Sequence, residues 1–289
     1  MRTISGGLAT HLAGRSHTRS KMLRLDLRDG TSLGITDHDA ALSFDLGDGA
    51  LTYSAETGIL PSATVLATGF DAGNVEVSGP IGDTVTRAAV LGGRFNRARC
   101  RYFEVNWASL GDGAIALLAG NVSDARVEGG RFILQIRSDT DRYNQDVGRL
   151  ITPYCDADFG DARCGITVPT FDGTIASVTD GMRFVVTLAA SHIDHFFDYG
   201  SVLFTGGVLA GTLPVEIVSW AATGAIELFE PLVALPAIGD AVTVRQGCSK
   251  VRLAANPNVH TCLTYANVIN FRGFPEVPGS DQILKYPVP

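Results

Sequence analysis

The sequence predicts a mainly β protein, composed of several small β-sandwich or barrel domains with one or two short helices and an irregular cysteine-ligated C-terminal region. Apolar and polar residues alternate over most of the first hundred positions, which is typical of half-buried strands. Glycine or proline turns recur about every ten residues in the second half, as in small barrels and sandwiches. The chain has 33 glycines and 12 prolines in 289 residues, and 18% of its residues are charged. This composition indicates a globular, turn-rich chain that is long enough to bury a core.

The N-terminal strands are expected to form hairpins. Asp29-Gly30 and Asp48-Gly49 each divide an alternating segment, and Asp-Gly pairs favour tight turns with positive φ. The stretch "GNVEVSG" predicts a further strand. The stretch "DTVTRAAVLGG" predicts a helix that Asp83 caps and that Gly92-Gly93 stops.

Two long strands are expected around a turn at Gly129-Gly130, followed by a short helix from about residue 140 to 150. Pro153 follows that helix and cannot continue it.

The predicted elements divide the chain into three regions. Residues 1–152 form the N-terminal β domains, and residues 173–245 form a small β domain. That small domain separates residues 153–172 from residues 246–289, where Asn, Pro and Gly indicate irregular structure.

The charge and hydropathy of the chain exclude several classes of protein. The net charge is −7 and the pI is about 5.3, so the chain lacks the basic footprint of a nucleic-acid binder. We interpret the basic cluster at residues 94–102 as a solvated strand edge or a protein interface. No apolar run approaches the ~18 residues of a membrane span, and no secretory signal is expected.

The cysteines form the candidate site. Cys100 lies in a strand pattern and is interpreted as a small buried hydrophobic residue. The other four form two pairs, Cys155 with Cys164 and Cys248 with Cys262, in loops on either side of the small β domain. Domain termini commonly lie close together, so the pairs are expected to converge.

The spacing alone leaves four interpretations of these thiols open. They could hold tetrahedral zinc, although the tight C-x2-4-C knuckles are missing. They could hold an iron–sulfur cluster, which tolerates wider spacing. They could form two disulfides, which cytosolic synthesis disfavours, or they could be four unrelated buried thiols.

Several motifs resemble those of the phage tail hub (tail-tip) family, in the form found in bacterial gene transfer agents, phage-like particles that carry host DNA. They are "LRLDLRDGTSLGITDHD", "VEVSG", "CDADFGDARCGI", "RQGCSK" and "NVINFRGFPEVPG", and they extend over nearly the whole chain. One departure is the segment "GCSKVRLAANPNVHTC", since the family often has the shorter "GCDKTxxTC" there.

The resemblance implies a homotrimer whose β domains, residues 1–152, form a ring below the tail tube. The ring would join the distal tail protein ring to a central fibre or tail-tip protein and a cell-wall peptidase-like component. DNA would pass through it without specific binding. The resemblance also implies a [4Fe–4S] cluster in residues 153–172 and 246–289, with Cys155, Cys164, Cys248 and Cys262 as ligands and zinc as the alternative.

The histidine and tryptophan motifs give weaker indications of function than the cysteines. His38 lies between two aspartates in "TDHD", which favours local hydrogen bonds at a strand end. His192 and His195 are three residues apart and lack the Glu of a zinc protease motif, so they are assigned to an interface or a core edge. Trp107 and Trp220 are expected to be core or subunit-contact anchors.

The sequence therefore predicts a structural baseplate hub and not an enzyme. It would be made in the cytoplasm, assembled into the tail baseplate of a phage-like particle and released extracellularly. An acidic or neutral channel wall is expected from the net charge, because carboxylates repel phosphate. The alternatives are an iron–sulfur or zinc enzyme, which a closed four-cysteine shell disfavours, and a cell-wall-binding tail module.

Overall fold

The chain divides into two units, Met1–Asp146 and Val147–Pro289. The computed structural model describes residues 4–56, 58–61, 73–144, 148–253 and 259–277. No helix in these ranges has the length and apolar character needed to cross a bilayer.

The first unit is built around one large sheet. Its helices are α1 (Gly6–Ala13) and α2 (Arg87–Leu91), with short 3-10 helices at Leu110–Asp112 and Asp139–Asn144. Its strands are β1 (Arg19–Asp26), β2 (Ser32–Thr36), β3 (Leu42–Asp45), β4 (Ala50–Ser54), β5 (Leu60–Pro61), β6 (Asn74–Pro80), β7 (Arg99–Asn106), β8 (Ala114–Glu128) and β9 (Arg131–Ser138).

These strands lie in the order β3-β4-β2-β1-β7-β8-β9-β6-β5. The β2–β4 pairing is parallel, and the other pairings in this order are antiparallel. The predicted Asp-Gly turns are confirmed, because Gly30 (φ 85°) connects β1 to β2 and Gly49 (φ 100°) connects β3 to β4. Gly129-Gly130 also forms the predicted turn, between β8 and β9.

Alternate residues of the central strands form the core of this unit. Leu23, Leu25, Tyr102 and Leu134 lie in one cluster that also contains Cys100, which is fully buried. Burial raises the pKa of the Cys100 thiol, so it remains protonated. The prediction that Cys100 is a small buried hydrophobic residue is confirmed.

The helices of the first unit differ from the prediction. Helix α2 is capped by Thr86, whose hydroxyl accepts from the Ala89 amide at 3.1 Å, and not by Asp83. Of the helix expected over about residues 140 to 150, the described part is only the 3-10 turn Asp139–Asn144. Helix α1, capped by Ser5, was not predicted.

The basic cluster at residues 94–102 does not lie at a strand edge. Its strand, β7, is central in the sheet and pairs with β1 and β8. Arg94 bonds Asp29, Arg99 bonds Asp139, and Arg101 bonds both Asp26 and Asp48. The unit's own carboxylates therefore neutralise these guanidinium groups.

The second unit contains a closed six-stranded antiparallel barrel in the order β10-β11-β14-β13-β12-β15. Its strands are β10 (Thr170–Val178), β11 (Arg183–Leu188), β12 (Ser201–Phe204), β13 (Val215–Trp220), β14 (Ala225–Leu228) and β15 (Ala241–Arg245). The barrel encloses a core of aromatic and branched residues that includes Phe184, Phe204, Trp220 and Val244. Its first and last residues, Thr170 and Arg245, pair with each other, so the chain enters and leaves the barrel at one place.

The mainly β class, the barrel and the short helices are confirmed. Outside the barrel, the described part of the second unit has one 3-10 helix, Val268–Asn270, and otherwise irregular backbone, as expected from its composition. One part of the predicted class is not observed, since the cysteines of this region are not grouped around a metal ion among the described residues. The division into three regions stays a prediction.

Candidate functional site

Three irregular segments of the second unit meet at the predicted cysteines. The Cys155 amide donates to the carbonyl of Lys250 at 2.8 Å, which joins the first cysteine pair to the segment that holds Cys248. The side-chain amide of Asn267 donates to the carbonyl of Cys164 at 2.7 Å, and the Asn267 backbone amide donates to the carbonyl of Cys262 at 2.8 Å. The expected convergence of the two loop pairs is therefore present.

The loop between Cys155 and Cys164 is held by its own polar residues. Asp161 accepts from the Cys164 amide at 2.6 Å, and its backbone carbonyl accepts from Gly165 at 2.8 Å. The amide of Cys164 holds the pKa of the Asp161 carboxyl below its usual range. Gly165 adopts φ 72°, a conformation that disfavours a side chain, which explains the glycine directly after the second cysteine.

The four thiols share one buried environment. Cys164, Cys248 and Cys262 are buried, and Cys155 is half-buried. Burial, together with the neighbouring Cys248, Cys155 and Cys164, raises the pKa of Cys262 to about 12. Burial likewise raises the pKa of Cys248. Each of the other three thiols thus lies close enough to Cys262 to disfavour a second negative charge.

Amide groups of the protein point toward the sulfur atoms. The Arg272 amide donates to Cys155 Sγ at 3.4 Å, and Asn267 Nδ2 lies 3.7 Å from Cys164 Sγ. Donors of this kind stabilise negative charge on sulfur, which is the form in which cysteine binds metals.

The four free thiols have the chemistry of metal ligands, but the described side chains are not arranged as a single-ion site. Within the described ranges, no set of three or more His, Cys, Asp or Glu side chains is arranged to hold one metal ion. All five cysteines are free, so the disulfide interpretation has no support. Four free thiols from three segments, with amide donors near Cys155 and Cys164, have the donor chemistry of an iron–sulfur site.

Asn267 and Tyr265 are parts of this site that sequence reasoning missed. Asn267 is buried and touches Cys164, which lies 103 residues earlier in the chain. Tyr265 Oη donates to the Gly247 carbonyl at 3.0 Å. The Tyr265 ring packs against the Phe159 ring, with 4.9 Å between the ring centroids. The signal for both is the segment "TCLTYANVIN", whose polar residues recur directly after the fourth cysteine.

The remaining predicted residues lie elsewhere. His38 makes local hydrogen bonds, including one from its amide to Thr36 at 3.2 Å, and its ring lies 5.0 Å from that of Trp107. His192 packs on the edge of the barrel core among aromatic rings. Trp220 is buried in the barrel core as predicted, whereas the side chain of Trp107 is exposed.

Comparison with known proteins gives two family matches. A family model described as "Baseplate hub protein, N-terminal attachment domain" matches residues 5–167. A second one, described as "Phage conserved hypothetical protein BR0599", matches residues 195–281. No protein in the curated set matches the chain.

A solved structure is similar over nearly the full length. The chain is 29% identical to a chain from the virion of a native gene transfer agent (GTA) particle, with a TM-score of 0.80. The similarity covers 98% of this chain and 96% of that one. Both of the units described above therefore have counterparts in that virion chain.

Proposed function

This chain belongs to the phage baseplate hub protein family, and we propose on that premise that it is the structural hub of a phage-like tail baseplate. The observation that carries the proposal is the similarity to a gene transfer agent virion chain over 98% of this chain. The family match to the attachment domain covers more than half of the sequence. The protein would be a component of the assembled particle, with no catalytic step of its own.

In the finer form of this proposal, three copies form a ring. The ring joins the distal tail protein ring on one side to a central fibre or tail-tip protein and a cell-wall peptidase-like component on the other. The resemblance of the sequence motifs supports this arrangement. Mass photometry of the full chain, and a reconstruction of the particle, test it. Three copies around an opening are expected, and a single central copy or a ring without an opening would contradict it.

The ring would let DNA pass without binding it. The charge of the chain supports this, since the first unit has fifteen Lys and Arg against seventeen Asp and Glu, and the second has eight against thirteen. The arginines of β7 are neutralised by carboxylates of their own unit. An acidic or neutral wall repels phosphate, whereas free arginines would retain it. A reconstructed channel dominated by Lys and Arg would argue against this.

We also propose that Cys155, Cys164, Cys248 and Cys262 hold one [4Fe–4S] cluster with a structural role. The convergence of the three segments, their burial and the amide donors near sulfur support it. Such a group, when bound, crosslinks polar loops that have little apolar surface to bury, and metal binding of this kind adds directly to folding free energy. One zinc ion is the alternative, although the described side chains are not arranged around a single ion.

The content of metal and sulfide separates these alternatives. Protein prepared anaerobically is expected to be brown, with about four iron and four acid-labile sulfide per chain. If metal analysis instead finds about one zinc per chain and no iron, the site holds a single zinc ion and not a cluster. Neither result affects the hub assignment, which is tested by assembly.

A further inference from the structure

Three connections gather at one end of the barrel. Its six strands alternate in direction, so successive connections lie at opposite ends. The connections after β10, β12 and β14 are residues 179–182, 205–214 and 229–240, and we call them the far end of the barrel. The chain enters and leaves at the opposite end, where Thr170 pairs with Arg245. The far end therefore points away from the places where the barrel joins the cysteine loops.

The far end exposes five large apolar side chains. In the connection after β14, Phe229 is 66% exposed, Leu235 is 62% exposed and Ile238 is 73% exposed. Val233 of the same connection and Val208 of the connection after β12 are also exposed. A single exposed apolar side chain is ordinary, but a group of them at one place marks an interaction surface.

The backbone of the connection after β14 holds these side chains outside. Leu232 and Ala234 pack against the barrel core, whereas Val233 and Leu235, which alternate with them, face outward. The Leu232 amide donates to the Gly181 carbonyl at 2.8 Å, which ties this connection to the one after β10. Because the inward positions are already filled, the outward side chains have no place in the core of their own barrel.

Charged residues are scarce at the far end. Residues 205–214 and 229–239 contain a single charged residue, Glu230. In the remaining connection, Asp180 is paired with Arg183 at 2.8 Å. Depletion of charge distinguishes the buried core of a protein interface from ordinary surface, and the interfaces of homodimers are the more apolar class. The three connections contain no Lys or Arg, so they offer nothing to the phosphates of a nucleic acid.

We propose that the far end of the barrel is a contact surface between copies of this chain. The proposal rests on the hub function proposed above, and it names the surface through which neighbouring copies meet. The second unit has eight Lys and Arg against thirteen Asp and Glu, so two copies repel each other over most of their surface. Contact through the far end brings the fewest carboxylates together, which favours this orientation over others.

The size of the apolar group fits such a contact. At roughly 100 Å² of exposed area for each large side chain, the five supply on the order of half of the ~800 Å² that one partner buries in a standard interface. A lipid bilayer is the other apolar partner. Segments that insert into a bilayer surface commonly carry Lys or Arg beside their apolar residues, and the far end carries none.

Sedimentation of the full chain gives the first test. The parent is expected to associate with a Kd of about 10 μM or tighter. The double substitution Phe229→Ser and Leu235→Ser should weaken association about a hundredfold or more, since burial of each side chain contributes about a factor of ten. Ile193→Ser is the matched control, because Ile193 is 58% exposed in the connection after β11, at the opposite end, and it should associate as the parent does.

Two results of this experiment would overturn the proposal. One is a parent that stays monomeric up to about 100 μM, ten times the expected Kd. In that case, flotation with phosphatidylcholine vesicles that is lost in Leu235→Ser would assign the far end to lipid. The other is a double variant that associates as tightly as Ile193→Ser. Urea denaturation of each variant confirms that it is folded.

Hydrogen exchange of the parent locates the contact without any substitution. Amides of residues 205–214 and 229–239 are expected to gain about tenfold protection when the concentration is raised through the association midpoint. Amides of residues 189–200 and 221–224, at the opposite end, should not change. Protection confined to that end or to the first unit would refute the proposal. The hub assignment itself is tested separately, by the presence of the chain in the particle.

Discussion

Arg24 and Arg101 lie directly opposite each other on β1 and β7, and the carboxylate of Asp26 accepts from both, at 2.8 Å and 3.0 Å. Two like charges facing each other across a strand pair are destabilising. Asp26 joins them and also accepts from the Ser32 hydroxyl at 2.6 Å. Arg24 is only 7% exposed, so removing its partner would leave a largely buried charge uncompensated.

We therefore expect Asp26→Asn to lower the free energy of unfolding by about 2 kcal/mol or more. Urea denaturation of the full chain measures this. Asp48→Asn is the matched control, because among the described residues Asp48 bonds only Arg101, and its side chain is 53% exposed. A change of less than about 0.5 kcal/mol is expected there. Equal effects of the two substitutions would show that Asp26 does not hold the arginine pair together.

The burial of His192 predicts a dependence of stability on pH. Burial lowers the pKa of the His192 imidazole, whose neighbours are the rings of Phe171, Phe196 and Phe197. The unfolded chain takes up the proton at about pH 6.5 and the folded chain only at lower pH, so stability falls as the pH drops below about 6.5.

Thermal unfolding of the full chain between pH 7.5 and pH 5 measures this loss. His192→Phe removes the titrating group and keeps an aromatic ring, so its stability should change less over the same range. An identical slope in the variant and the parent would assign the dependence to other groups. Carboxylates such as Asp26 titrate at lower pH and do not contribute in this window.

Gly120 is required by the close approach of two strands. A Cβ at this position would lie 1.8 Å from the carbonyl oxygen of Arg137, which is backbone and cannot move independently of β9. Gly120→Ala is expected to cost about 3 kcal/mol or more. Gly111→Ala is the control, since a Cβ there meets nothing within 4 Å. Comparable stability of the two variants in urea would mean that β8 and β9 separate without penalty.

The four-thiol proposal predicts distinct effects for two buried cysteines. Cys164→Ser should abolish bound iron and sulfide and unfold the loops around the site, because each ligand closes the same structure. Cys100→Ala should retain the iron and sulfide content of the parent, since Cys100 lies in the core of the other unit. Metal analysis and limited proteolysis measure both effects. Full iron content in Cys164→Ser would exclude it as a ligand.

The hairpins were predictable because the chemistry of a tight turn is local. Asp29-Gly30 and Asp48-Gly49 determine their turns without help from the rest of the chain, and the barrel was indicated by regularly spaced glycines and prolines. Helix α1 was missed because it begins with two glycines, which weaken the helical signal. The cap of α2 was misplaced because Asp83 and Thr86 are both suitable cap residues, and only the fold selects between them.

The candidate site was predictable in part. The loop composition and the position of the small β domain were enough to predict that the two cysteine pairs converge. The contact of Asn267 with Cys164 was not predictable, because it joins residues 103 positions apart and depends on tertiary packing.

The pairing of Thr170 with Arg245 makes the barrel an insertion whose two ends lie side by side. Residues opposite each other on antiparallel strands lie about 5 Å apart. The chain segments before and after the barrel therefore start from nearly the same point. A different domain of any size can occupy this place if its two ends also meet. Because the two ends of the barrel meet, the hydrogen bond from the Cys155 amide to the Lys250 carbonyl does not depend on the length of chain between these residues.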